Sequence, residues 1–302
     1  MPRKPFLRWL GLLLGLGVLG LVALRLRDDP VLRQLAWERI HWPWLAGSFV
    51  AFALSQAGFA LAWHRLMRQP GRSIAFVDDA ARWCLSLAGK YLPGKIWQPL
   101  ARLGLYQGSA RAGQVAPAYG LELMLTISAA LTVVAVQAAT ASRGRVELAL
   151  PLGLAAAVLA LGCAPAVGRI LIARLQRWIP LGLQMPALAG RELGGVWALQ
   201  LLAYLALGLG VHLLGLASGL VPPGLAGPVI AAFCFGGMAG IAAVFVPAGL
   251  GVREAALAWY LSPWIGAGPA MLLALLARAW ISLGEALLVL AGSLWLQRRK
   301  VG

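Results

Sequence analysis

The sequence predicts an all-α polytopic membrane protein, and three observations predict it. Residues 193–252 contain no Asp, Glu, Lys or Arg. About 20 apolar residues cross the hydrocarbon core of a bilayer as a helix, so this run is long enough for two crossings. The chain of 302 residues is 61% hydrophobic and only 12% charged, against about 25% charged in soluble domains. Its apolar runs are continuous and rich in Leu, Ala and Gly. A transmembrane barrel would instead alternate in segments of about ten residues with polar inward positions.

The first span covers about 7–25. It follows Met1-Pro2-Arg3-Lys4-Pro5 and resembles a signal peptide, but Arg25-Leu26-Arg27 stands where a small-residue cleavage site would be, so an uncleaved anchor is expected. The second span, 43–63, opens beside Trp42 and Trp44, typical of an interfacial aromatic belt. A basic connection at 64–114 leads to a third span at 115–138, which contains Glu122, and a fourth at 147–166. Arg169, Arg174, Arg177 and Arg191 punctuate 167–191, which predicts an amphipathic helix at the headgroups. The fifth span is 193–217, and Pro222-Pro223-Gly224 turns the chain. An apolar run at 226–246 ends at Pro247-Ala248-Gly249-Leu250-Gly251, a short helix follows at 252–262, and the last span is 269–296.

Charge orients these spans. The N-terminal arm, 64–114, 167–191 and the C-terminal tail hold 3, 8, 4 and 3 Lys/Arg, while the connections at 25–42 and 139–147 hold 4 and 2. The positive-inside rule then puts both termini in the cytoplasm. It also accounts for the net charge of +16 without a nucleic-acid partner, because the basic residues lie between apolar runs.

Two segments look alike. Residues 82–106 and 245–260 each carry aromatic or aliphatic residues, then Pro with Gly, then a basic residue, then a short helix. Paired Gly/Pro-interrupted segments in the two halves of a membrane protein point to a transporter site built by an inverted repeat. The expectation is one transmembrane domain, 1–302, with halves of about 1–166 and 167–302. It has six full spans and two re-entrant hairpins, at 82–106 and 226–262, dipping in from opposite faces. Eight ordinary crossings satisfy the same charge count and stand as the alternative.

Glu122, Arg253, Glu254, Arg278 and Glu285 lie in or beside apolar runs. A charge at the centre of a membrane helix costs about 2.5–3.5 kcal/mol, and such residues face the protein interior and pair with one another. Arg278 and Glu285 share a helix face but sit too far apart to pair directly, so each should reach a neighbouring element. The preferred pairing joins Glu254 or Glu285 to a basic residue of the first hairpin and leaves Arg253 to a ligand. Lys90 and Lys95 flank Pro93-Gly94, and the helix starting at Val252 aims its positive N-terminal end at the second break. The candidate phosphate-binding set is therefore Lys90, Pro93, Gly94, Lys95, Pro247, Gly249, Gly251 and Arg253. Glu122, Glu254, Arg278 and Glu285 would balance charge or carry a proton. Gly11-x-x-x-Gly15 and Gly236-x-x-x-Gly240 would permit close helix contact.

No Walker P-loop, nucleophile elbow or zincin motif occurs. Cys84, Cys163 and Cys234 are isolated and His41, His64 and His212 scattered, so neither a disulfide framework nor a metal site is expected. No cofactor and no enzymatic activity are expected.

Gly89-Lys90-Tyr91-Leu92-Pro93-Gly94-Lys95-Ile96-Trp97 and Pro247-Ala248-Gly249-Leu250-Gly251-Val252-Arg253-Glu254 resemble the two signature blocks of the lysylphosphatidylglycerol synthase transmembrane family, also called flippase-like domain proteins. Glu122 is similar in placement to the acidic residue of that family's Glu-Arg block, with Leu123 where the family has Arg; Ala248 stands where the second block usually has Gly. The resemblance implies a bacterial or archaeal inner-membrane protein that moves a lipid between leaflets. In two-part members this bundle is associated with aminoacylated phosphatidylglycerol, which a separate soluble domain makes. The chain ends at Gly302 without such a domain, so the synthase activity is not expected here. Other stand-alone relatives are linked to polyprenyl-glycan or hopanoid pathways, so substrate identity does not carry over.

The sequence thus leads to a lipid translocase whose partner is a membrane lipid, with anionic lipids the natural class. The rival is a non-transporting accessory protein that scaffolds a lipid or cell-envelope glycan synthase. Homo-oligomers and envelope-synthesis partners fit either reading.

Overall fold

A computed structural model describes residues 40–68, 75–92, 96–108, 112–141, 145–163, 183–186, 188–243 and 249–298, with a few positions between 166 and 174. The expected first span, the amphipathic segment at 167–191 for the most part, and Pro93, Gly94, Lys95 and Pro247 lie outside the described residues. Among the described residues every regular element is a helix.

The described residues form nine α-helices, in order: α1 (Trp42–Leu66), α2 (Phe76–Ser86), α3 (Trp97–Leu105), α4 (Ala112–Thr140), α5 (Ala149–Gly162), α6 (Gly190–Ala217), α7 (Ala226–Ala242), α8 (Val252–Ile265) and α9 (Ala267–Arg298). Short 3₁₀ turns at Leu87–Tyr91, Val146–Leu148 and Pro223–Leu225 extend α2 and lead into α5 and α7. Among the described residues, five stretches are long and apolar enough to cross a membrane: Trp42–Leu66, Gly113–Thr140, Gly190–Ala217, Pro223–Ala242 and Ala267–Arg298. The expected fourth span at 147–166 is shorter than the sequence suggested. Its helical run ends at Gly162, with Cys163 in a turn, and Val146–Gly162 falls short of the full-span length.

Small residues decide which helices touch. α1 and α6 run antiparallel, with Gly58 closing on Ala203 and the His41 amide donating to Ala217 O at 3.0 Å. Gly284 of α9 accommodates the Phe52 ring, and Gly210 of α6 accommodates Trp280, so α9 lies against the α1–α6 pair. The buried apolar side chains form two clusters. One gathers Phe52, Val211, Phe233, Tyr260 and Trp280. The other gathers Trp63, Trp83, Tyr106, Leu125 and Val289.

α2, its 3₁₀ extension and α3 form a helical hairpin laid along the last turns of α9. At its base, Trp295 Nε1 donates to Asp78 Oδ1 at 3.0 Å. At its tip, Lys90 and Tyr91 both reach Glu285. Ten residues of α9 separate these contacts, so the tip stands about 15 Å along the helix from the base. Gly89 explains how the legs close up: a Cβ there would lie 2.7 Å from Gln98 Cα and N. Gly89→Ala is therefore expected to force the legs apart and lower stability by about 1–3 kcal/mol, read as the thermal unfolding midpoint in detergent.

α7 and α8 form the second hairpin. Gly236 packs on Arg253 O and Leu257, and Gly240 packs on Gly249, so the expected close approach at Gly236-x-x-x-Gly240 is present. Gly249 (φ +67°) and Gly251 (φ +80°) turn the chain in the left-handed region that favours glycine. They serve the backbone turn and lie outside the cavity lining described next. At the base of the first hairpin, Asp79, wholly buried, accepts from Tyr106 OH at 2.6 Å and pairs with His64 Nδ1 at 2.8 Å, with Arg82 at 3.6 Å.

Candidate binding cavity at the meeting of two hairpins

One stripe of α9 builds the floor of the site. Arg278, Ile281, Ser282 and Glu285 recur at helical spacing on a single face, and all four line a cavity of about 360 Å³. The cavity lies where the two apolar clusters meet, with Phe59, Trp83 and Leu87 on one side and Leu207, Phe233 and Ile281 on the other. That volume is at the low end for small-molecule sites.

The first hairpin supplies Lys90 and Tyr91. Lys90 Nζ donates to Glu285 Oε1, and Tyr91 OH donates to Glu285 Oε2 at 2.6 Å. Both oxygens of the Glu285 carboxylate, which is 4% exposed, are therefore occupied. The second hairpin supplies Glu254 and Arg253. Glu254 Oε2 accepts the Gly251 amide at 2.7 Å, capping α8, while its Oε1 faces Arg278 NH1 at 3.4 Å. Each hairpin is thus tied to α9 by an ion pair, at Glu285 and at Arg278, two helical turns or about 10 Å apart.

These contacts follow the sequence expectation for α9, whose two charges each reach a neighbouring element. Glu285 takes a lysine from the first hairpin as preferred. Glu254 does not; it pairs with Arg278 inside its own half, because the turn at Gly249–Gly251 directs it to α9.

Glu122 on α4 is buried and saturated. Trp83 Nε1 donates to its Oε1 at 3.0 Å, and Arg102 donates to its Oε2. Arg102 is the cation that sequence reading missed. It is 2% exposed, donates from Nε to Ser86 Oγ at 3.0 Å, and lies over the Trp63 ring at 4.2 Å. Its place in a basic connection made it look like one more topogenic charge; the only signal was its position on a short amphipathic helix. The partnership also shows what holds Glu122 when Leu123 follows it.

Arg253 differs from the other cavity cations. Its guanidinium lies over the Phe233 ring at 4.8 Å, and among the described residues no carboxylate comes within ion-pair distance. Ser282 Oγ, on a residue 1% exposed, lies beside Tyr91 OH, which donates to Glu285. A guanidinium without a carboxylate partner among the described residues suits a guest rich in oxygen acceptors.

The fold and the cavity define the class: an all-α membrane protein with charged residues gathered between two helical hairpins. No protein-family model matches the chain, and no curated protein matches it.

Proposed function

We propose that this protein is a lipid translocase that passes a phosphate-bearing headgroup between leaflets while the acyl chains stay in lipid. The observation that carries the proposal is the convergence of two hairpin tips on the middle of α9, where Arg253 faces a cavity with no carboxylate partner among the described residues. Arg278 lies eleven residues from the Ala267 end of α9, about 17 Å, and Glu285 lies thirteen from the Arg298 end, about 20 Å. In a hydrocarbon core about 30 Å thick, that is mid-depth. Interrupted helices meeting at the midplane from opposite faces are the usual architecture of a transport site.

In this reading both hairpins are re-entrant, six other spans complete an inverted repeat, and both termini lie in the cytoplasm. The Pro223–Ala242 stretch is long enough to cross alone. The returning α8, with 14 residues, is about 21 Å long and too short to cross, which favours the re-entrant form. Leu123 lines the cavity while staying 37% exposed, an apolar rim suited to a lipid tail. The resemblance of the two Pro-Gly blocks to flippase-like domain proteins, and an inner-membrane location, belong to the same proposal.

The test is flipping of fluorescent phospholipid in proteoliposomes of the full chain. Wild type should accelerate flipping over empty vesicles, and Arg253→Ala should reduce the rate at least about tenfold, the loss of one charge-assisted contact. Equal rates for wild type, the variant and empty vesicles would defeat the proposal and favour the scaffold reading.

A further inference from the structure

Deepening the translocase reading, on which it rests, we infer that the cavity selects a headgroup with one net negative charge: a phosphodiester that carries no ammonium. Among the described residues four cations line the cavity, Lys90, Arg102, Arg253 and Arg278. Three carboxylates answer them, and each is engaged: Glu285 with Lys90, Glu122 with Arg102, Glu254 with Arg278. Among the described residues, Arg253 is the cation left over, with the Phe233 ring as its neighbour.

A charge held away from water is costly until it is paired. A guest bringing one negative charge completes the set. A phosphomonoester or a diphosphate brings two or more, and the excess meets no further cation without breaking an existing pair. A zwitterionic or aminoacylated headgroup brings an ammonium into a wall of four cations, where every carboxylate already holds a donor. This separates the cavity from the aminoacylated lipids that the family resemblance suggests.

The contacts available match a diester. The Arg253 guanidinium offers forked N–H donors to two phosphate oxygens.

The experiment is isothermal titration of the full chain in nonionic detergent at pH 8. The probes are dioctanoyl phosphatidylglycerol (monoanion), dioctanoyl phosphatidic acid (largely dianion at that pH), dioctanoyl phosphatidylcholine (zwitterion) and dimethyl phosphate, a soluble source of the same diester. Phosphatidylglycerol should bind at least about tenfold tighter than either other lipid. Arg253→Gln should erase that preference. Glu285→Gln removes one carboxylate and leaves two cations over, so it should swing the preference towards phosphatidic acid, an outcome that a merely structural role would not produce. Both variants are first checked for a cooperative unfolding transition well above the titration temperature. Wild-type preference for the dianion or the zwitterion would overturn the charge rule while leaving a lipid site in place. Dimethyl phosphate competing as strongly as the lipid would show that the guest is a solute. Absence of saturable binding by all four probes would overturn the rule and the translocase reading together.

Discussion

Arg102→Ala is expected to cost about 3–5 kcal/mol, the range for removing one partner of a buried ion pair, and to detach the first hairpin from α4. The reason is local. Arg102 reaches Ser86 on α2, Glu122 on α4 and the Trp63 ring on α1, so one side chain of α3 fastens three neighbours. Its loss leaves Glu122 buried with only the Trp83 indole donor. Arg102→Lys should rescue little, because an ammonium lacks the planar fork that serves Ser86 and Glu122 together. Replacing both partners with apolar residues, Arg102→Met with Glu122→Leu, should recover most of the loss, since neither charge is then stranded. Thermal unfolding in detergent reads all three. An Arg102→Ala midpoint equal to wild type would show that the pair carries no structural weight.

Charge reversal at the hairpin tip should produce the second large effect. Lys90→Glu would set a carboxylate against Glu285 at a residue that is 4% exposed. About 3 kcal/mol is expected, the lower end for a broken buried pair, because the Lys90 side chain is 32% exposed. Glu285→Lys alone would confront Lys90 with a like charge and fall into the same range. The double exchange, Lys90→Glu with Glu285→Lys, should restore much of the stability of either single variant. The interaction energy from this double-mutant cycle measures the tip contact itself. A cycle whose single and double effects simply add would mean that Lys90 and Glu285 do not meet.

The sequence made the class legible through its charge-free run, and most helix positions through hydropathy and Pro/Gly breaks. α1, α4, α6 and α9 each extend the expected spans by a few residues, because the ends of those spans are polar enough to leave the apolar window yet still helical. The pairing of charges was partly readable. Helical spacing placed Arg278 and Glu285 on one face, but spacing has nothing to say about which element lies opposite. Hence the choice between Glu254 and Glu285 for the first hairpin stayed open, and the fold gives Glu285 to Lys90 and Glu254 to Arg278. Arg102 was harder. A buried arginine and a topogenic arginine look identical in a basic connection, and only the tertiary cage of Trp63, Ser86 and Glu122 separates them. Asp79 escaped notice for the same reason, since His64, Arg82 and Tyr106 come together only when the hairpin closes.

α9 carries no proline after Pro269 in its first turn and holds both hairpins on one face, at Arg278 and at Glu285. A stiff bar fastened at two places behaves as a seesaw. Tilting it about Ile281 and Ser282 moves the two fastenings in opposite senses, so drawing one tip inward eases the other away. Exposure on one side of the bilayer would then be linked mechanically to closure on the other, with no hinge needed inside the bar. Spin labels on α2 and α8, each paired with one on α9, would show their distances changing in antiphase; distances that lengthen or shorten together would rule the seesaw out.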